Sequence, residues 1–147
     1  MSVDVLLVLT NCPDEETADR IATALVENRL AACVNALPPV ESTYRWQGSV
    51  EQAVEVPLLI KSTRDRYPAL EEAIRQLHPY TVPEIVAVPV VVGFAPYLRW
   101  VAEETTPPMV ASHAGKRRPG GLGDRRDAVR GTPSHRQVAV GRALLQD

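Results

Sequence analysis

A chain of 147 residues that is 45% hydrophobic and 23% charged holds enough material for one domain with its own core, without metal or disulfide staples. No apolar run approaches the roughly 20 residues that span a bilayer, and Asp4 stands where a secretory leader would carry its cationic segment. The two cysteines, Cys12 and Cys33, form neither a CxxC nor a zinc-ribbon pair, so the expected setting is a reducing cytoplasm with free thiols and no membrane partner.

The net charge of −2 hides a division along the chain. Residues 1–106 hold 8 Lys/Arg against 15 Asp/Glu, a net of −7, whereas 107–147 hold 8 Lys/Arg against Asp124, Asp127 and Asp147, a net of +5. The second stretch also carries six of the eight glycines and no aromatic residue. Such a composition cannot bury enough apolar surface to offset chain entropy, so 107–147 is expected to be a disordered basic tail, with only Val138 to Leu145 able to form a short helix. Without interleaved aromatics it also lacks the stacking platform of a single-strand binder, which argues against nucleic acid.

Val3 to Thr10 is rich in Val and Leu and closes in Asn11-Cys12-Pro13-Asp14, which predicts a buried strand and a turn. Asp14 is a natural N-cap, with Glu15 and Glu16 set favourably against the helix dipole. Ala18, Ile21, Ala22, Leu25 and Val26 then recur at helical spacing over 15–29. A second strand begins at Leu30 and is interrupted by Pro38-Pro39. Beyond it, Val40, Ser42, Tyr44 and Trp46 share one face of a strand. Gly48-Ser49 is the expected turn, and Val54, Val56, Leu58 and Ile60 form a returning arm. Pro57 falls inside that arm and predicts a bulge or an unpaired edge. The arms exceed a common strand of about six residues. They therefore project past their own sheet, with an apolar face that another chain must cover.

Thr63 is the expected cap of a second helix whose buried stripe is Tyr67, Leu70, Ile74 and Leu77, ended by His78-Pro79-Tyr80. Val82 to Val92 predicts a strand, and Pro83 and Pro89 argue for an edge position or bulges rather than a central strand. Pro96 fits the first turn of a last helix with Tyr97, Trp100 and Val101 on one face, stopped by Pro107-Pro108. The βαββαβ order with a C-terminal helix predicts an α+β, ferredoxin-like sandwich over 1–106, with both main helices on one face of an antiparallel sheet.

Several segments together resemble the CutA family, named for divalent-cation tolerance. They are Pro13-Asp14, Leu30-Ala31-Ala32-Cys33-Val34-Asn35, Tyr44-Arg45-Trp46-Gln47-Gly48, Leu59-Ile60-Lys61, His78-Pro79-Tyr80-Thr81-Val82-Pro83-Glu84-Ile85 and Tyr97-Leu98-Arg99-Trp100, in the family's order over residues 3–105. The resemblance implies a homotrimer of ferredoxin-like protomers whose long hairpins extend over neighbouring subunits. It also implies a relation to copper or another divalent metal, and it brings no enzymatic activity. Some copper-associated members carry a cysteine where Thr10 stands here and a histidine where Leu77 stands, so the metal site of this chain is thinner. The tail has no counterpart in the family.

The candidate metal ligands are His78, Cys12 and Cys33. Cys33 in an apolar strand is either a core residue or a soft ligand. Cys12, next to a helix N-terminus, is placed where a thiol pKa tends to fall. His78 is either a helix cap or a ligand for metal or an anion, and with no HxxxH or HExxH partner it needs ligands from another subunit. Tyr44, Trp46, Lys61, Tyr80 and Glu84 are candidates for a small-ligand pocket between subunits, although Tyr44 and Trp46 also suit interface anchors. A GxSxG is absent, and Gly120-Gly121-Leu122-Gly123 lacks the Lys-Ser/Thr of a P-loop. The expectation is a non-enzymatic homotrimer that binds a metal or small ligand. The alternative is a PII-like signalling trimer that senses a small anion or nucleotide.

Overall fold

The computed structural model describes residues 4–107. The elements run β1 (Val5–Cys12), α1 (Glu15–Glu27), β2 (Cys33–Ala36), β3 (Val40–Trp46), β4 (Ser49–Thr63), α2 (Tyr67–Leu77), β5 (Ile85–Pro89) and α3 (Ala95–Glu104). The expected tail and its short helix over Val138–Leu145 lie outside the described residues, apart from Pro107.

All strand pairs are antiparallel, in the order β2-β4-β1-β5, and β3 continues along the same edge of β4 as β2. This is the ferredoxin-like α+β sheet that the element order predicts. Along β1 and β4 the side chains alternate. Leu6, Val8 and Cys12 with Val56, Leu58 and Ile60 face the helices, where Ile21 and Leu25 of α1 and Leu70 and Ile74 of α2 complete the core. Each such buried aliphatic side chain contributes roughly 1.5–3 kcal/mol. The opposite face is only partly covered. Val101 and Leu98 of α3 pack on Val5 and Ala32 at one end. Leu7 and Leu9 lie beside Val88 and Val86 of the edge strand, which remain 45% and 46% exposed.

Several local expectations change. The hairpin turn is Gln47-Gly48, not Gly48-Ser49: Trp46 pairs with Ser49, and both turn residues have positive φ, 47° and 82°, as a type I′ loop requires. Thr63 is the buried end of β4, and α2 starts after Arg66 without a side-chain cap. The last strand shrinks from Val82–Val92 to Ile85–Pro89, and among the described residues it is an edge strand, paired with β1 alone. In α3 the buried residue is Val101, while Tyr97 and Trp100 turn outward with ring centroids 5.6 Å apart.

Pro57 makes no bulge. The register runs unbroken from Val5↔Thr63 to Cys12↔Val56 through Asn11↔Pro57. The Pro57 carbonyl accepts from Leu37 N–H at 2.9 Å. In an antiparallel ladder a residue's N–H and C=O point to the same neighbour, so the missing donor faces the Leu37-Pro38-Pro39 break and β1 loses nothing.

The entry to α1 is set by Asp14, whose carboxylate accepts from Thr17 N–H at 2.7 Å. Replacing Asp14 with Ala is expected to lower stability by about 1 kcal/mol, read as a shift of the urea midpoint at constant slope.

Candidate functional site

Where β3 and the first half of β4 leave the sheet, they enclose a cleft of about 460 Å³ with the end of β1 and the segment between α2 and β5. Tyr44 and Trp46 come from β3, Glu55 from β4, Asn11 from β1, and Tyr80, Val82 and Glu84 from the segment before β5. Strand alternation selects these side chains. Ser42 pairs with Ala53 and Val40 with Glu55, which sets Glu55 on the same face as Ser42, Tyr44 and Trp46. In β1, Cys12 turns to the core, and Asn11, one residue earlier, turns to the cleft.

Two hydrogen bonds tie the walls together. Asn11 Nδ2 donates to Glu84 Oε2, and Tyr80 Oη donates to Glu55 Oε2 at 3.4 Å. Behind them, His78 braces the turn after α2. Its Nδ1 accepts from Tyr80 N–H at 3.1 Å, and its Nε2 lies 2.7 Å from the Asn11 carbonyl. Because Nδ1 accepts, Nε2 carries the proton and donates it to that carbonyl. The His78 and Tyr80 ring centroids are 4.5 Å apart. Burial lowers the His78 pKa from its ordinary 6.5, and the Asn11 carbonyl and Glu55 offset this only in part. Burial, then Glu55, raises the Tyr80 pKa; burial, then Glu51 and Glu55, raises that of Tyr44. Both phenols are neutral at physiological pH.

Of the residues singled out from sequence, Tyr44, Trp46, Tyr80 and Glu84 meet in this cleft, and Lys61 does not line it. Lys61 sits deeper in β4 and donates to the Asn35 side chain on β2. The three candidate metal ligands are dispersed within the chain. Cys12 is fully buried on the helix side. Cys33 pairs with Lys61 on the opposite face and is half-buried, so it is not part of the helix-side core. His78 spends both ring nitrogens on intrachain hydrogen bonds. Nor is Cys12 acidified by the helix: the Asp14 carboxylate caps it by accepting from Thr17 N–H, and burial, aided by Asp14 and Glu55, pushes the thiol up to about 12. Among the described residues no group of three or more His, Cys, Asp or Glu side chains gathers to hold a metal.

Sequence reasoning missed Glu55 and Asn11. Glu55 was legible in principle: with the turn at Gln47-Gly48, counting back along β4 puts it in phase with Tyr44. Asn11 had only its parity relative to Cys12 to mark it.

The fold and cleft define a class: a ferredoxin-like α+β protein with a projecting hairpin and an acidic, aromatic-walled cleft at its base. A family profile described as CutA1 divalent ion tolerance protein matches residues 6–104. The chain is 54% identical over 99 residues to the divalent-cation tolerance protein CutA of Thermus thermophilus, covering 67% of this chain and 96% of that one. It is 46% identical over 101 residues to human protein CutA, covering 69% of this chain and 56% of the human protein. The solved Thermus thermophilus structure superposes with a TM-score of 0.69 at 52% identity, over 69% of this chain and 99% of that one. An Archaeoglobus fulgidus CutA, described as periplasmic, superposes with a TM-score of 0.68 at 32% identity, over 69% and 99% of the two chains. The chain belongs to the CutA1 divalent ion tolerance protein family. Among the described residues, no helix is long and apolar enough to cross a membrane.

The His78 bridge has a pH signature. Its pKa is lower folded than unfolded, so its contribution is complete above the ordinary 6.5 and is lost as pH falls below that value. Glu55 and Tyr80 are the titratable side chains nearest to it. Between about pH 7.5 and 5.5, the wild-type melting temperature should fall further than that of His78→Gln, which keeps a donor for Asn11. Equal falls would show that His78 titrates alike in both states.

Proposed function

We propose that this member of the CutA1 family works as a cytoplasmic homotrimer. It binds a small ligand, a divalent metal among the candidates, in the cleft between the hairpin and the end of β1, and it catalyses no reaction. The observation that carries this reading is the cleft itself. It is a concavity of about 460 Å³, in the size range of small-molecule sites, whose walls come from four separate segments.

Assembly is supported by the exposed Val86 and Val88 beside Leu7 and Leu9, by the projecting hairpin, and by the family resemblance, which implies three copies. The free thiols Cys12 and Cys33 support a reducing compartment. A non-catalytic role is supported by His78: with both ring nitrogens engaged, it is not available as a general base for Ser42 or Thr43.

The family's name supports a divalent ion as a ligand. Glu55 and Glu84 offer oxygen donors suited to a hard cation, and a full coordination sphere would draw on a second subunit. A soft copper site would need Cys12, Cys33 and His78 to converge, which the fold of one chain does not arrange. A nucleotide or small anion is opposed by the charge, since among the described residues the lining includes two carboxylates and no Lys, Arg or His.

Light scattering after size exclusion is expected to give the full chain three times its 16.1 kDa; a stable monomer would remove the trimer. Titration with Mn(II), Zn(II) and Cu(II) is expected to show binding that Glu55→Gln/Glu84→Gln abolishes and Cys12→Ser/Cys33→Ser spares. The opposite pattern would return the site to the thiols.

A further inference from the structure

We propose that the cleft takes an organic ammonium ion, a small tertiary or quaternary amine, with its charge against Glu55 and its alkyl groups among Tyr44, Trp46 and Tyr80. The inference rests on reading the cleft as the ligand site, and it names the ligand's chemical class.

Glu55 is the first reason. It is only 9% exposed, and among the described residues its one side-chain hydrogen bond is the 3.4 Å contact from Tyr80. A charge-assisted O–H···O⁻ bond is normally about 2.5–2.7 Å long. A carboxylate buried beside a cavity with one long donor is poorly compensated, and a cation entering the cavity would supply what is missing.

The walls are the second reason. Three aromatic side chains line a cavity of about 460 Å³, far more room than a bare metal ion fills. Aromatic rings attract cations through their quadrupole and offer apolar surface to alkyl groups. They are poor ligands for a hard metal ion, whose preferred donors are oxygens. A ligand that uses both the rings and the carboxylate is one that carries positive charge on a carbon-clad nitrogen.

The charge balance and the rigidity are the third. Among the described residues no basic side chain lines the cleft, and the carboxylates of Glu55 and Glu84 set a negative field inside it. Tyr80 is fixed before any ligand arrives, because its N–H is bonded to His78 Nδ1 and that ring is bonded to Asn11. A wall already in place spares the ligand the entropy of ordering it.

The test compares three isosteric probes by calorimetry on the full-length protein: choline, its uncharged carbon analogue 3,3-dimethylbutan-1-ol, and the anion 3,3-dimethylbutyrate. Choline should bind on the order of tenfold more tightly than the alcohol, and the anion should not bind. Glu55→Gln and, separately, Trp46→Leu should each weaken choline on the order of tenfold. Glu84→Gln, on the exposed rim, should weaken it less while folding normally, and Lys61→Gln should leave it unchanged. Equal binding of choline and the alcohol would overturn the ammonium reading but keep an apolar ligand cleft. Tighter binding of the anion would overturn the charge argument. Failure of choline alongside Mn(II) binding that Glu55→Gln/Glu84→Gln abolishes would overturn the ammonium class and retain the cleft as a metal site. Failure of every probe, Mn(II) included, would overturn both this inference and the cleft as ligand site.

Discussion

The 15 residues of β4 form one strand that does two jobs in succession. Its C-terminal half lies between β1 and β2 and presents Val56, Leu58 and Ile60 to the helices. Among the described residues its N-terminal half has only β3 beside it. Alternation along a strand is strict, so burial of the aliphatic residues in one half dictates which way every side chain points in the other. Slipping the register by one residue would bring Pro57 and Leu59 to the core and turn Glu55 and Tyr44 away from the cleft. The core therefore fixes the geometry of a site that it does not touch.

The site lies where the environment of β4 changes. At Val56 the strand still has β1 as a neighbour, and at Glu55 it no longer does. The gap so opened is walled by the segment after α2, whose path depends on His78 bonding both to the end of β1 and to Tyr80. That histidine is a brace. A residue type usually suspected of metal binding here uses its two nitrogens to hold a tyrosine and an asparagine carbonyl in place.

Much of this was legible in the sequence. Ile21 and Leu25, Leu70 and Ile74, and the alternating residues of β1 and β4 announce their elements through spacing alone. The Asp14 cap also followed from local chemistry, and the prolines of β5 excluded a central strand without choosing between an edge and a bulge. Four of the five residues proposed for a small-ligand pocket do meet in the cleft. The misses share a cause, which is that local pattern is silent about what lies opposite. Nothing local to Pro57 says that its missing donor faces another proline break. The neighbours of Cys12 do not say that burial outweighs the nearby helix terminus. Lys61 was grouped with the cleft by its motif, but its register opposite Cys33 sets it further down the strand.

The prolines have a further consequence, for self-association. Both outer strands of the sheet end in open rows of backbone donors and acceptors, which are templates for further strands and hence for aggregation. On one edge Pro38 and Pro39 interrupt the passage from β2 to β3; on the other Pro89 closes β5. Pro38 follows Leu37, whose N–H points to β4, and Pro89 precedes Val90, whose N–H points to β1, so each lacks an outward donor that an incoming strand would need. A chain that carries a long hairpin and an exposed apolar face thus limits the pairings open to it, and growth of the sheet by indefinite strand addition is discouraged at both borders.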